Sequence, residues 1–396
     1  MLEEVNKKRV AIVATHPIQY YSPWFKVLAN DSALSVKVFY LWEAGVTEQV
    51  DQGFKHRIKW DIPLLDGYQW EFVVNSSRRP GTHHFFGLIN PSLERTVKCF
   101  EPDAVLLMGY NFFSMIQFLC FWRSSRAPLL LRGDSHRIIG RCGIKERFRK
   151  ALISLLFRRF SGFLYVGKAN RRYFLYHGVA EERLFYAPHA IDNQRFCSAC
   201  DNVRLDSRRW KTELGIPSDH QVVLFAGKWE TKKRPVDLLE AFLLAAMPKS
   251  SLVFVGAGHL EEVLRNRASN HPFIKFAPFQ NQSQMPRTYG LADLFVLPSY
   301  GEGETWGLAV NEAMCLGCPI IVSTHVGCAE DLVKPYHNGL IFEAGNIPVL
   351  AKCLQEALSD RERLKKWGRN SRVDIVNCNY EKVTQGLKQA LSKVCV

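Results

Sequence analysis

From Arg9 onward the chain alternates short apolar runs with longer amphipathic segments, and this alternation restricts it to stacked β-α-β units around parallel sheets. A parallel strand buried on both faces needs an unbroken apolar run, whereas a covering helix needs one apolar stripe, so the two periods take turns. In the first half the spacing predicts strands over 10–14, 36–41, 72–74, 104–108, 129–132 and 163–166, and helices over 22–29, 91–100, 111–123, 145–160 and 169–177. The pattern lapses between Arg195 and Asp219, where Ser, Asp, Asn and Arg cluster, and a domain boundary is expected there. It restarts over 222–226, 252–256, 274–276, 294–298, 319–323 and 340–342, and a last helix is expected over 380–394.

A chain of 396 residues usually needs more than one core. The expected fold class is therefore α/β, with two facing doubly wound, Rossmann-like domains over 1–200 and 201–376, and with 377–396 returning toward the first. Such sheets bind ligands at the carboxyl ends of their strands, so the cleft between the domains is the natural site.

The first residues, MLEEVNKKRVAIVATHP, do not read as a secretory leader, because two acids precede the basic cluster and the apolar run is too short. Residues 105–122 are interrupted by Asn111, Ser114 and Gln117 and split by Gly109, so they read as strand, turn and buried helix rather than as a span. A cytoplasmic chain is expected. Its 11 cysteines, an odd number, suit small buried hydrophobes. Cys197/Cys200 and Cys315/Cys318 have zinc-like spacing, but Cys315 and Cys318 fall where a helix should end before Pro319, and small residues simply fit there.

The formal net charge of +14 suggests an anionic partner: nucleic acid, lipid headgroups or phosphorylated substrates. No recognition helix, zinc module or aromatic RNA platform is present in the sequence, so no specific nucleic acid is expected. Part of the charge lies in KERFRKALISLLFRRF, which opens at Lys145 and closes at Phe160. Phe148, Leu152, Leu155 and Leu156 share one face of that helix, opposite Arg147, Lys150, Ser154 and Arg158. The expected arrangement packs the apolar face on the first sheet and turns the arginines outward, where they can meet an anionic membrane surface.

The stretch PSYGEGETWGLAVNEAMCLGCPIIVST, 298–324, reads as strand end, glycine-rich loop, helix, turn and strand. A helix starting at Gly307 leaves bare amides facing the loop, and a phosphate there would meet the N–H groups of Trp306, Gly307 and Leu308. Glu312 lies ~7.5 Å further along the helix axis, a separation that suits a carboxylate accepting ribose hydroxyls. Glu304 would lie beyond the phosphates, where a donor sugar sits. Taken singly, these would read as a solvated loop acid and a surface helix acid; their shared glycine-rich setting favours the ligand.

Upstream, AGKWETKKRP places Lys228 and Lys233 on a loop after a strand, positioned to neutralise a diphosphate leaving group, although loop lysines are ordinarily just solvated. Gly256 and Gly258 follow another strand and permit close backbone approach. Phe279 and Gln280 follow a third and could hold a nucleobase, or form a simple turn.

Gly227-Lys228 with Lys233, Gly256-Ala257-Gly258, and above all Glu304-Thr-Trp-Gly-Leu-Ala-Val-Asn-Glu312-Ala-Met resemble the retaining glycosyltransferases of family 4, also called glycosyl transferases group 1, which have the GT-B fold. The resemblance implies that Glu312 binds ribose, that Glu304 contacts the donor sugar, and that Lys228 and Lys233 hold the diphosphate. The position of Lys228 is often arginine in the family; lysine keeps the charge and loses the bidentate fork. The first half matches less closely, with Thr15-His16-Pro17-Ile18-Gln19-Tyr20 where relatives carry a glycine-rich loop. His16 and Tyr20 are candidates to contact acceptor or donor. Relatives often place a histidine after a mid-domain strand; here Arg132-Gly133-Asp134-Ser135-His136 offers Asp134 or His136 for that role.

No Asp-x-Asp motif is present, and the resemblance implies metal-independent retaining transfer of a hexose-type sugar without a cofactor. The donor would be a nucleotide-diphosphate sugar, UDP- or GDP-linked, and the acceptor a glycan, a lipid-linked molecule or a small molecule. The competing readings are a sugar-nucleotide epimerase or hydrolase of the same fold, a basic nucleic-acid-binding protein, and a non-catalytic scaffold.

Overall fold

A computed structural model describes residues 7–395 apart from 48, 52–55, 123–126, 139, 141–142, 198–199 and 270. In chain order its strands are β1 (Lys8–Ala14), β2 (Leu34–Tyr40), a short antiparallel pair β3 (Gln49–Asp51) and β4 (His56–Ile58), β5 (Gln69–Phe72), β6 (Ala104–Met108), β7 (Leu129–Gly133), β8 (Gly162–Tyr165) and β9 (Leu184–Tyr186). The second half supplies β10 (Gln221–Ala226), β11 (Ser250–Val255), β12 (Ile274–Ala277), β13 (Leu294–Leu297), β14 (Ile320–Ser323) and β15 (Gly339–Phe342).

The first sheet has the order β5-β2-β1-β6-β7-β8-β9 and the second the order β12-β11-β10-β13-β14-β15. Their pairings are parallel, as in the register Val10↔Val36 and Val10↔Ala104. Val10, Ala11, Ile12 and Val13 are fully buried, as are Val222 through Phe225, so both central strands are covered on both faces. Strand order reverses between β1 and β6 and between β10 and β13. The loops that leave β1, β10 and β13 therefore open crevices at the carboxyl edges of the sheets.

The polar stretch 195–219 is not an open linker. It contains the helices Asn193–Cys197 and Cys200–Glu213, and Phe196 and Trp210 enter the core beside the second sheet. Val203, Ser207 and Trp210 are buried at i, i+4 and i+7, a stripe too narrow and too mixed to stand out among the surrounding charges. At the other end, the helix Tyr380–Val394 lies on the first domain. Val383, Leu387, Ala390 and Leu391 pack with Val10, Ile12, Leu130 and Leu164, and Trp24 Nε1 donates to Thr384 Oγ1 at 3.2 Å.

The basic helix spans Ile144–Phe157 and corrects the expected packing. Ile153 and Phe157 face inward, and Leu156 is half-buried, but Phe148, Leu152 and Leu155 face solvent. The reason is steric: Phe157, Phe160, Phe163, Tyr173 and Phe174 already fill the sheet face, so the helix docks through its aromatic end rather than through its leucines. Residues 105–122 form β6 and the helix Phe113–Phe121, and among the described residues no helix is long and apolar enough to cross a membrane.

Candidate active site

The carboxyl edges of the two sheets face each other across a cavity of about 400 Å³. The loop after β13 enters it first. The helix that follows spans Leu308–Cys315, one residue later than expected, with Gly307 as its N-terminal cap at φ +98°. That left-handed conformation suits glycine, and a Cβ there would stand 3.0 Å from Leu297 and Val326. No side chain caps this helix, and Trp306, Gly307, Leu308 and Ala309 line the cavity.

Glu312 lies on the cavity wall and is 2% exposed, which removes the surface-acid reading. Its Oε2 accepts the hydroxyl of Tyr289 at 2.7 Å, and its Oε1 accepts that of Tyr20 at 3.2 Å. Burial raises the carboxyl above its ordinary value; the phenol hydrogen bonds and Arg195 pull the other way. Glu304, also buried, pairs with Lys233 and accepts from Ser299 Oγ at 3.0 Å. Lys228 lines the same cavity. The acids and cations picked from sequence therefore share one space, although their elements are separated by some 70 residues of chain.

Gly256 lines the cavity and Gly258 does not. A Cβ at Gly256 would stand 2.0 Å from the Gly227 carbonyl oxygen, and one at Gly258 would stand 2.4 Å from that of Trp229. Both glycines thus let the loop after β11 lie against the loop after β10, which positions Lys228. Phe279 and Gln280 line the far end, where Trp60 of the first domain comes to 6.3 Å from the Phe279 ring. Loop contacts close this end: Asn281 Nδ2 donates to the Lys59 carbonyl at 2.8 Å, and Ser283 N donates to Asp61 Oδ1 at 3.1 Å.

On the first-domain side, Tyr20 and Asp134 line the cavity, and His16 and His136 do not. His16 turns its ring edge toward Trp42. His136 is buried, with Nε2 donating to the Glu304 carbonyl oxygen at 3.3 Å. Asp134 therefore faces the cavity, and its Oδ2 accepts from Thr305 Oγ1 at 2.7 Å across the cleft.

The sequence reading missed His189. It follows β9 at a carboxyl edge, is 2% exposed, and brings Nε2 to 3.6 Å from Asp134 Oδ2. Its ring lies between Tyr21 and Trp306. Burial alone would raise Asp134, but the neighbouring His189 imidazole and the Thr305 hydroxyl outweigh it and hold the carboxyl at about 2. Burial lowers His189 in turn, against the pull of Asp134. Its position after a strand was the available signal, as it is for Trp60 in the loop after β4. Tyr289 lies inside a helix, and its sequence position gives no cue. Among the described residues no group of three or more His, Cys, Asp or Glu could hold a metal ion.

Residues 206–374 match the family model for glycosyl transferases group 1. Among similar proteins is the GDP-mannose-dependent monoacylated alpha-(1-6)-phosphatidylinositol monomannoside mannosyltransferase of Corynebacterium glutamicum, 27% identical over 198 residues, or 48% of this chain and 51% of the relative. The chain thus spans about half the length of the curated relatives it matches. HepE of Anabaena, solved in complex with UDP and glucose, superposes with a TM-score of 0.70 at 16% identity, covering 97% of this chain and 99% of that one. WaaG, a glycosyltransferase involved in lipopolysaccharide biosynthesis, gives 0.66 at 16% identity over the same shares. At these identities the likeness carries the fold.

Proposed function

We propose that this protein, whose residues 206–374 match the family model for glycosyl transferases group 1 within a GT-B-like fold, transfers a hexose-type sugar from a nucleotide-diphosphate donor with retention of configuration. The observation that carries the reading is the shared cavity, in which uncapped helix amides at Gly307, flanked in sequence by Glu304 and Glu312, share the lining with Lys228 and Lys233.

In this reading Glu312 accepts the ribose hydroxyls, Phe279 and Gln280 border the base, and the helix amides hold the diphosphate. Binding of the diphosphate draws Lys233 away from Glu304, which frees that carboxylate for the sugar hydroxyls. The bond between the anomeric carbon and the phosphate oxygen then breaks while the acceptor oxygen attacks from the same face. The acceptor proton passes to the departing phosphate oxygen. Lys228, Lys233 and the amides stabilise the charge that develops there, so positioning and electrostatics supply most of the acceleration and no metal is needed. Asp134, held as a carboxylate between Thr305 and His189, faces the sugar end of the cavity.

Within the same reading the chain works at the cytoplasmic face of a membrane, and the favoured acceptor is lipid-linked. A relative whose name specifies a phosphatidylinositol-based acceptor supports this choice. The test is a thermal-shift screen against a panel of nucleotide-diphosphate sugars, since a ligand that binds only the native state raises the melting point. A shift with at least one donor is expected, abolished in Glu312→Ala and strongly weakened in Lys233→Ala. Undiminished shifts in both variants would place the donor elsewhere. Product analysis with that donor separates transfer from epimerisation or hydrolysis.

A further inference from the structure

Among the described residues, nothing covers one face of the helix Ile144–Phe157. Ile144, Phe148, Leu152 and Leu155 are 85%, 72%, 59% and 60% exposed. At 3.6 residues per turn they fall within an arc of about 80°. Arg147 and Arg158 border that arc on one side and Lys145 and Arg149 on the other, all four exposed. The helix's single acid, Glu146, is turned away toward Arg137 and Arg149. A continuous apolar stripe of this size on a soluble domain marks a contact surface.

We propose that this face docks the protein on an anionic bilayer and that the neighbouring cleft takes acceptors anchored in that bilayer; the second half of this proposal rests on the transferase reading. Charge complementarity selects the occupant. The stripe suits the boundary of the acyl chains, and its rim of cations suits the phosphates of the headgroups. A second copy of the chain is a poorer fit, because two such rims would bring like charges together.

The position of the helix connects it to the site. β7 ends at Gly133, Asp134 lines the cavity, and Arg137 reaches Glu146 on the first turn of the helix at 3.7 Å. The most exposed apolar residues, Ile144 and Phe148, therefore lie at the end of the first domain that borders the cleft. A lipid-linked acceptor lying in the surface beneath them needs only its polar head to reach the cavity.

Co-sedimentation of the full chain with phosphatidylcholine vesicles, with and without phosphatidylglycerol, tests the docking. Binding is expected only to the anionic vesicles and should fall as salt rises. The double variant F148S/L152S should lose that binding by about tenfold or more, and R147E/R149E should lose the preference for anionic lipid. Both variants change exposed side chains, so their melting points and their thermal shifts with a donor should match those of the parent. Equal partition of the parent into both vesicle types, or undiminished binding by F148S/L152S, would overturn the proposal. So would a dimer that light scattering shows to dissociate on F148S/L152S. If vesicle binding holds while no nucleotide sugar shifts the melting point, the transferase reading fails and the docking surface stands.

Discussion

Tyr20, in the loop that leaves β1, donates its hydroxyl at 3.2 Å to Oε1 of Glu312, so a first-domain side chain occupies the carboxylate assigned to the donor ribose. Tyr289 occupies the other oxygen from within the second domain. The Tyr20 backbone is itself held by the hydroxyl of Tyr380, the first residue of the returning helix, at 3.1 Å. A hydroxyl of the first domain thus bridges the cleft to the group that the proposed donor would have to win.

Tyr20→Phe should therefore bind the nucleotide more tightly. Removing one competing hydrogen bond is worth ~0.5–1.5 kcal/mol, a gain of about two- to tenfold in affinity. Titration calorimetry with the nucleoside diphosphate checks this, and weaker binding would mean that Tyr20 touches the donor directly.

Glu312→Gln should lose donor binding and yet melt no lower than the parent at neutral pH. Burial raises the Glu312 carboxyl in the folded state, so the folded chain binds a proton more readily than the unfolded chain. Stability then falls as pH rises from the ordinary carboxylate range through the raised value. The melting advantage of the variant should be full above that window and vanish below about pH 4. Melting curves across pH supply the measurement.

Asp134→Asn reverses the sign. The parent carboxyl is held at about 2, so its contribution is present above the ordinary carboxylate value and is lost as pH falls toward 2. The variant should melt slightly below the parent at pH 7 and equal it near pH 2. The difference is small because the side chain is 41% exposed and water screens the pair. Steady-state kinetics should show a larger fall in kcat than rise in donor KM.

Gly256→Ala tests the contact between the two loops. It combines φ +143° with a Cβ 2.0 Å from the Gly227 carbonyl oxygen. A loss of about 2–4 kcal/mol in denaturant unfolding is expected, together with weaker nucleotide binding, because relief of the clash moves the loop that carries Lys228.

The parallel sheets were legible because strands such as β1 and β10 are buried on both faces and read as unbroken apolar runs. The second-domain wall of the cavity was legible for a related reason: Glu304, Gly307 and Glu312 lie within one short segment, and their spacing converts directly into distance. Tyr20 and Asp134 were legible only as positions after strands. Their partners, Glu312 and Thr305, lie far off in sequence, and only packing the two domains brings them together. His189 and Tyr289 escaped because a single histidine or tyrosine carries no period. The exposure of Phe148 and Leu152 escaped because amphipathic spacing tells which residues share a face and not which way that face turns.

Because Val383, Leu387, Ala390 and Leu391 cover Val10, Ile12 and Leu164, strand β1 waits for a helix that is synthesised long after it. The second domain is complete in sequence before that helix emerges, so it can mature while its predecessor still lacks a wall. Of the two domains described, synthesis order and assembly order therefore run in opposite directions, and a chaperone would find its longer-lived target in the first.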